Sequence, residues 1–179
     1  SAQPMNRVED CITRAAHLEQ QARTEFGLEG GHIIRVKYAI IGAGQTGLQF
    51  LDRCLAKKAG TVGIVDAQKD IGGHWTQQYS FVKLHAPKAT YGIDPSNWSG
   101  DVFKDLATRD EILSHYQRTA RPLLQASGVH PLLGHRAERV MSQHLGPCVL
   151  CKPVGDGPPV LLVAESIVDA TINAHPWND

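Results

Sequence analysis

The chain has 179 residues, of which 42% are hydrophobic, and its 18 basic side chains balance 18 acidic ones. This balance excludes the basic excess with which proteins bind nucleic acid or anionic membranes, and no apolar run reaches the ~20 residues that cross a bilayer. Four cysteines are too few for a disulfide framework and the N-terminus lacks the apolar core of a signal peptide, so we expect a cytoplasmic protein without a nucleic-acid or membrane partner.

Helical periodicity appears first in residues 7–26, where apolar side chains recur every three or four positions and predict a helix with one buried stripe. The stripe consists of Val8, Ile12, Ala15, Leu18, Ala22 and Phe26. The glycine-rich stretch 27–31 ends this pattern. We therefore predict an N-terminal helical extension over residues 1–31, packed on a main domain over residues 32–179.

Two apolar runs rich in β-branched residues, 35–41 and 61–67, predict buried strands. Between them, Leu48, Leu51 and Leu55 follow helical spacing. A strand, a glycine turn, a helix and a second strand within about 30 residues form a βαβ unit with parallel strands and a right-handed crossover. The predicted fold class is therefore α/β, a Rossmann-like domain with a parallel central sheet.

The next segment, residues 72–100, follows no period, so that we predict a long functional loop or loose coil. Residues 108–128 predict a helix that opens with the capping box of Thr108 and Glu111 and is interrupted at Pro122. Short strands follow, separated by glycine and proline turns, over residues 135–144, 148–154 and 159–172, the last with its buried part near 166–170. We expect them to form a small β-meander.

The main chemical signal is the pattern Gly-x-Gly-x-x-Gly, formed by Gly42, Gly44 and Gly47 between the first predicted strand and its helix. The first glycine of such a turn permits a tight bend, the second lets the backbone approach a pyrophosphate, and the third lets the helix pack on the sheet. The phosphates then lie at the positive N-terminus of the helix. Because this pattern lies within a βαβ unit, it predicts a dinucleotide site.

Two further features follow the second predicted strand. Asp66 ends that strand, and a carboxylate there accepts hydrogen bonds from ribose hydroxyls and repels a 2′-phosphate, so the site suits FAD or NAD better than NADP. Gly72 and Gly73 precede Trp75. On physical grounds alone, this glycine pair indicates a tight turn beside a core tryptophan.

Together these segments resemble flavin-dependent monooxygenases of the flavin-containing monooxygenase type, which include Baeyer–Villiger and YUCCA-like relatives. The resemblance rests on Tyr79 and on the segments GAGQTGL (42–48), VDAQKDIGGHW (65–75) and LHAPK (84–88), and it extends over residues 37–173. It implies the N-terminal FAD-binding part of an enzyme in which NAD(P)H reduces the flavin and a small organic substrate is oxygenated.

The same resemblance implies a set of cofactor contacts. The pyrophosphate would be held at Gly42, Ala43, Gly44, Gln45, Thr46 and Gly47, and later in the chain at Thr171. The adenosine would be held at Asp66, Ala67, Gln68 and the backbone of Ala137. The flavin or its ribityl chain would be bordered by Gly73, His74, Trp75, Leu84 and His85. Catalytic residues stay unassigned, and His85 is the best candidate for a residue near the reactive ring.

The sequence departs from the family's pattern in two places. The family's Ala-Thr-Gly element corresponds here to Ala170, Thr171 and Ile172. Because a β-branched residue resists positive φ and close ligand approach, we expect a remodelled turn, weaker FAD binding or a degenerate site. The family's second glycine motif, for NADPH, is absent up to residue 179, so NADPH would be a co-substrate only with a missing C-terminal domain or a partner subunit.

Cys148 and Cys151 have Cys-x-x-Cys spacing within a predicted strand, where side chains three positions apart point to opposite faces. No second ligand pair for zinc and no His-Glu-x-x-His pattern accompanies them. We therefore predict two buried cysteines and no metal site.

Three hypotheses about function remain. The favoured one is the FAD-binding domain of a flavin-dependent monooxygenase or oxidoreductase that acts on a small molecule. The second is a non-catalytic nucleotide-binding or interaction module derived from that family, which Ile172 and the missing NADPH motif favour. The third is a single-domain NAD-dependent oxidoreductase, which leaves the Gly-Gly-x-Trp and Leu-His-x-Pro segments unexplained.

Overall fold

The computed structural model describes residues 7–94 and 97–171, with side chains from Cys11 onward. The helices in these ranges are α1 (Arg7–Glu25), α2 (Gln45–Ala56) and α3 (Arg109–Thr119). The strands are β1 (His32–Ile41), β2 (Val62–Asp66), β3 (Val129–Leu133), β4 (His135–Ser142), β5 (Gly146–Pro153) and β6 (Val160–Asp169). Short 3-10 turns include Gly73–Gln77, Lys88–Thr90 and Arg121–Gln125.

The strands form one sheet in the order β3-β2-β1-β6-β5-β4. β3, β2, β1 and β6 are parallel, whereas β4 and β5 pair antiparallel in a meander that leads into β6. The predicted α/β class, with a parallel sheet and a small meander, is confirmed. Ile41 is in register with both Val65 and Asp169, so the carboxyl ends of β1, β2 and β6 meet at one edge. Open α/β sheets bind their ligands at this edge.

Two strands differ from the prediction. β3 was not predicted, because its short run includes Pro131, which is tolerated here since β3 is an edge strand. β6 is buried over residues 160–164 and more exposed over 165–169, so the predicted burial near 166–170 was wrong. The reason is that β5 pairs only with the first half of β6, from Val160 to Val163.

Apolar side chains pack on both faces of the sheet. On one face, α2 and α3 pack on a cluster that includes Ile40 and Ile64. On the other face, β4 contacts β2, and residues of the β4–β5 hairpin pack in one cluster with Ile41 and Val65. The backbone N–H of Gly134, between β3 and β4, donates to Gln68 O at 2.8 Å and fixes the start of this hairpin beside the end of β2.

The helices outside the βαβ unit match their predicted positions, with one difference. α1 packs on the sheet only through its second half, because Ala22 is buried whereas Ile12 is 64% exposed. The buried stripe predicted for the whole helix was therefore wrong in its first half. The capping box of α3 is confirmed, and Pro122 lies in the separate 3-10 turn that follows this helix.

Cys148 and Cys151 point to opposite faces of β5, as predicted, and lie in two different core clusters. Burial raises the pKa of both thiols, that of Cys151 to about 12. Within residues 7–94 and 97–171, no group of three or more His, Cys, Asp or Glu side chains is placed to hold a metal ion. In the same ranges, no helix has the length and apolar character needed to cross a membrane.

Candidate dinucleotide-binding site

The loop between β1 and α2 and the first turn of α2 pack so closely that Gly42 and Gly47 are both required to be glycine. A Cβ atom on Gly47 would lie 1.9 Å from Gly42 O, and one on Gly42 would lie 3.0 Å from Ala170 O. The backbone N–H of Gly42 also donates to Val65 O at 2.7 Å. α2 therefore begins directly against the carboxyl ends of the central strands.

The N-terminus of α2 has no side-chain partner of its own. Gly44 is the N-cap and offers no capping hydrogen bond, and the first turn contains no acidic residue. Backbone N–H groups at a helix start lack intrahelical acceptors and carry the positive end of the helix dipole. This terminus can therefore receive an anion such as a phosphate.

Asp66 supports the loop from the end of β2. Its Oδ2 accepts a hydrogen bond from Ala43 N at 2.6 Å, and its Oδ1 accepts one from Gln68 N at 2.8 Å. These two backbone donors fix the orientation of the carboxylate, a structural role that was not predicted. Each carboxylate oxygen has a second lone pair, so Asp66 can still accept a hydrogen bond from a ligand.

The turn at Gly72 and Gly73 lies directly on the glycine loop. The backbone N–H of Gly72 donates to Ala43 O at 3.0 Å. Gly73 has a φ of +56°, and a Cβ atom there would lie 2.9 Å from the Cα atom of Gly44. The positive φ and the close contact both require glycine at this position. The turn and the glycine loop therefore pack directly against each other.

Two adjoining clefts open at this edge of the sheet. The larger, of about 540 Å³, is lined by Gly42, Gly44, Gln45, Thr46, Asp66, Gln68, Gly73, His74, Gln77, Tyr91, Ala170 and Thr171. The smaller, of about 340 Å³, is lined by Ile41, Gly42, Val65, Asp66, Ala67, His135, Arg136, Ala137 and Thr171. Three residues line both clefts, so the two form one continuous groove, which we call the cofactor groove.

Five of the residues expected at the cofactor do not line this groove. Ala43 and Gly47 belong to the glycine motif, but both are buried. Trp75 and Leu84 are 5% and 6% exposed and belong to the core cluster beneath α2 and α3. His85 is exposed and lies outside both clefts.

Seven residues that line the groove were not predicted as cofactor contacts: Ile41, Val65, Gln77, Tyr91, His135, Arg136 and Ala170. Gln77 lies three positions after His74 on one 3-10 turn, and side chains at this spacing eclipse each other, so the spacing could have indicated it. Tyr91 is tied to the core because its hydroxyl accepts a hydrogen bond from Trp75 Nε1 at 2.5 Å. Desolvation lowers the pKa of His74, so its ring is neutral at neutral pH.

No protein-family model matches the chain. Uncharacterized proteins of Mycobacterium tuberculosis and Mycobacterium bovis are 32% identical to it over 105 residues, which are 53% of this chain and 19% of theirs. The chain therefore spans less than a fifth of the length of these curated relatives.

Solved structures share the fold over about three quarters of the chain. A flavin-containing monooxygenase from Stenotrophomonas maltophilia is 25% identical, with a TM-score of 0.56 over 76% of this chain and 38% of its own. An oxidized steroid monooxygenase bound to NADP is 22% identical, with a TM-score of 0.59 over 79% of this chain and 27% of its own. A bacillithiol disulfide reductase from Bacillus cereus is 18% identical, with a TM-score of 0.60 over 77% and 40%. The chain has the fold of flavin monooxygenases. The resemblance that the sequence motifs indicated is confirmed.

In this flavin-monooxygenase fold, Thr171 closes the groove at the end of β6. Its hydroxyl and its backbone N–H both donate to Asp169 Oδ1, at 2.5 and 3.1 Å. Arg139 Nη2 lies 3.7 Å from Asp169 Oδ2. The hydrogen bonds from Thr171, and then the charge of Arg139, lower the pKa of Asp169. Ile172, on which the expected departure from the family depends, lies outside the described residues.

Proposed function

We propose that the chain binds FAD in the cofactor groove and is the FAD-binding part of a flavin-dependent monooxygenase or related oxidoreductase. The observation that carries this proposal is the convergence of an uncapped helix N-terminus, an oriented carboxylate and a glycine turn along one continuous groove. Each part of this groove falls within the ~300–1,000 Å³ that is usual for ligand and cofactor sites.

The donors and acceptors of the groove fit a dinucleotide that extends in both directions from the N-terminus of α2. The N–H groups of that terminus suit the pyrophosphate, and the free lone pairs of Asp66 suit the adenosine ribose. The adenine would lie in the smaller cleft beside Ala67 and Ala137. At the far end of the larger cleft, His74 and Gln77 would border the flavin.

When bound, the flavin supplies the redox chemistry, taking electrons from NAD(P)H for the oxygenation of a small organic substrate. The residues of this chain bind the cofactor, orient it and limit its access to water. Gly73 packs against Gly44 where both line the groove, and the hydrogen bond from Trp75 to the hydroxyl of Tyr91 ties this groove residue to the core. A neutral His74 can donate or accept one hydrogen bond toward a bound ring.

NAD(P)H would reach the flavin through a second domain or a partner subunit. This part of the proposal is supported by the length of the matched flavin monooxygenases, since the chain covers only 27–38% of them. The groove itself disfavours NADP at the adenosine end, because Asp66 would repel a 2′-phosphate.

Titration of the purified chain with FAD, followed by visible absorbance, tests the proposal. We expect one FAD to bind per chain, without displacement by excess NADP. Selective binding of NAD in place of FAD would favour a single-domain NAD-dependent oxidoreductase. Oxidation of NADPH by the FAD-loaded chain would favour an enzyme, whereas bound FAD without turnover would favour a non-catalytic module.

A further inference from the structure

One side of the cofactor groove, which we call its wall, is formed by residues 72–94 and 97–107. Arg109, the first residue of α3, donates hydrogen bonds to this wall. Its Nε donates to Trp75 O at 3.3 Å and its Nη2 donates to Thr76 O at 3.4 Å, while its Nη1 contacts Asp110 Oδ1 at 3.0 Å. The side chain is only 27% exposed. A guanidinium fork can hold two successive carbonyl groups at once, which a lysine ammonium on a flexible stem does less well.

The two carbonyl groups belong to the 3-10 turn Gly73–Gln77, which is part of the wall. Trp75 and Thr76 lie between His74 and Gln77, both of which line the larger cleft. Arg109 itself does not line either cleft. It therefore sets the position of two groove residues without contacting a ligand in the groove.

The residues just before the wall are held by the same part of the fold. Asp70 accepts hydrogen bonds from Ile71 N at 2.8 Å and from Gln117 Nε2 at 3.1 Å, and Arg121 Nη1 lies 3.4 Å from it. Gln117 lies on α3 and Arg121 begins the next 3-10 turn. Side chains from α3 and from the turn after it thus hold the chain both before and after Gly73.

The adenosine end of the groove is fixed differently. Asp66 and Ala67 lie at the end of β2, and Ala137 lies on β4. Backbone ladders hold these strands, with Asp66 in register with Leu133 and Ala137 in register with Cys151. This end therefore does not depend on a side-chain hydrogen bond from α3.

We propose that Arg109 is a positioning residue for the flavin half of the cofactor, acting through the turn that carries His74 and Gln77. This inference rests on the proposed function, since it assigns the larger cleft to the flavin. Loss of the guanidinium leaves the carbonyl groups of Trp75 and Thr76 without this partner and lets the wall shift. The cost falls on ligands that reach past the pyrophosphate, and ligands that end at the pyrophosphate are unaffected.

The test compares FAD with ADP as ligands of the full chain. Arg109→Met keeps the aliphatic stem and removes all donors, and Arg109→Lys restores one point of charge. Arg118→Gln is the matched control, because Arg118 lies on the same helix and donates to Asn97 O, at 3.4 Å, instead of to the turn that carries His74 and Gln77. We expect Arg109→Met to raise the Kd for FAD about tenfold, Arg109→Lys to recover part of this loss, and neither variant to change the Kd for ADP more than about twofold.

The outcomes separate the inference from the function on which it rests. An unchanged Kd for FAD in Arg109→Met, or an equal loss of FAD and ADP binding, would overturn the inference alone. A wild-type chain that binds ADP but no FAD would overturn the proposed function and the inference with it. If Arg109→Met does not fold, the Kd of Arg109→Lys for FAD tests the inference instead. A value equal to that of Arg118→Gln would contradict the inference.

Discussion

The βαβ unit (His32–Asp66) and the wall of the groove (residues 72–94 and 97–107) are stabilised in different ways. The βαβ unit is held by backbone ladders and by buried residues such as Ile40, Leu48 and Ile64, which are completely buried. The described residues of the wall form 3-10 turns, bends and one isolated bridge, between Lys83 and Thr108. Besides local backbone hydrogen bonds, side-chain contacts with α3 hold it. The end of the groove at the glycine loop is therefore held by the sheet, whereas the other end depends more on individual side chains.

Two side-chain contacts illustrate how the wall is held. The side chain of Lys88 is only 4% exposed, and its Nζ donates to Glu111 Oε1 at 2.8 Å and to Ser99 O at 3.2 Å. The hydrogen bond from Lys88 is the largest cause of the lowered pKa of Glu111. His115 stacks on Trp98 with ring centroids 4.0 Å apart. Substitutions should therefore affect the two regions in different ways.

The largest effect is expected in the βαβ unit, for Gly47→Ala. The added Cβ would lie 1.9 Å from Gly42 O, which is a backbone atom, so the clash can be relieved only by shifting the glycine loop or α2. We expect the free energy of unfolding to fall by about 3 kcal/mol or more, with loss of FAD binding. Urea denaturation measures this change.

Gly155→Ala is the matched control for that substitution, because no atom lies within 4 Å of the added Cβ. We expect its free energy of unfolding to lie within about 0.5 kcal/mol of the wild-type value. Equal stability of the Gly47 and Gly155 variants would contradict the packing described for the glycine loop.

A second, smaller effect is expected in the wall when the pH falls. Burial is the main cause that lowers the pKa of His115 to about 4, from 6.5 in the unfolded chain. The folded state therefore favours the neutral ring. The contribution of this ring to the free energy of unfolding is fully present above pH ~6.5. It is lost as the pH falls toward ~4, and the loss reaches up to about 3 kcal/mol. Urea denaturation at several pH values measures this slope.

His115→Gln should flatten the dependence of stability on pH. His74→Gln is the control, because desolvation lowers the pKa of His74 in the same direction, but not strongly. If His115→Gln kept the wild-type slope between pH 6.5 and 4.5, the buried neutral ring would not be the cause.

Asp66→Ala should have an intermediate effect on the βαβ unit. It removes the acceptor of Ala43 N and of Gln68 N, and each unpaired donor carries a desolvation cost. We expect a loss of about 2 kcal/mol in the free energy of unfolding and at least about tenfold weaker FAD binding. Asp66→Asn, which keeps one acceptor oxygen, should lose less stability and less affinity for FAD. An unchanged Kd for FAD in Asp66→Ala would exclude a role of Asp66 at the ribose.

The smallest effect is expected at the start of α3. Thr108→Ala removes the side-chain oxygen that accepts from Glu111 N at 3.3 Å and should cost about 1 kcal/mol of the free energy of unfolding. Thr108→Ser keeps the hydroxyl and should retain most of the stability. Thermal unfolding of the two variants decides, and equal melting temperatures would show that the cap does not contribute.

The contrast between the two regions also explains which parts the sequence could predict. The βαβ unit depends on local signals, since the apolar periods and the spacing of Gly42, Gly44 and Gly47 lie within one continuous stretch. Asp66 was predicted as a ribose ligand from its place at a strand end. Its hydrogen bonds with Ala43 N and Gln68 N were not predicted, because every residue other than proline has a backbone N–H and the sequence does not show which ones donate to Asp66.

The wall could not be predicted because its contacts join distant residues. Arg109 reaches Trp75 across 34 positions, and Nε2 of His115 accepts a hydrogen bond from Ile93 N across 22. The family motif placed Leu84 at the flavin, whereas its side chain packs in the core, since a motif records spacing and not the direction of a side chain. β3 was not predicted either, because it is recognised as a strand by its pairing with β2, which lies far from it in the sequence.

A crystal structure of the chain grown with FAD tests the central claim most directly. We predict the pyrophosphate at the N-terminus of α2, the adenosine ribose within hydrogen-bond distance of Asp66, and the flavin beside His74 and Gln77. FAD bound outside the cofactor groove, or bound with its flavin in the smaller cleft beside Ala137, would contradict the account.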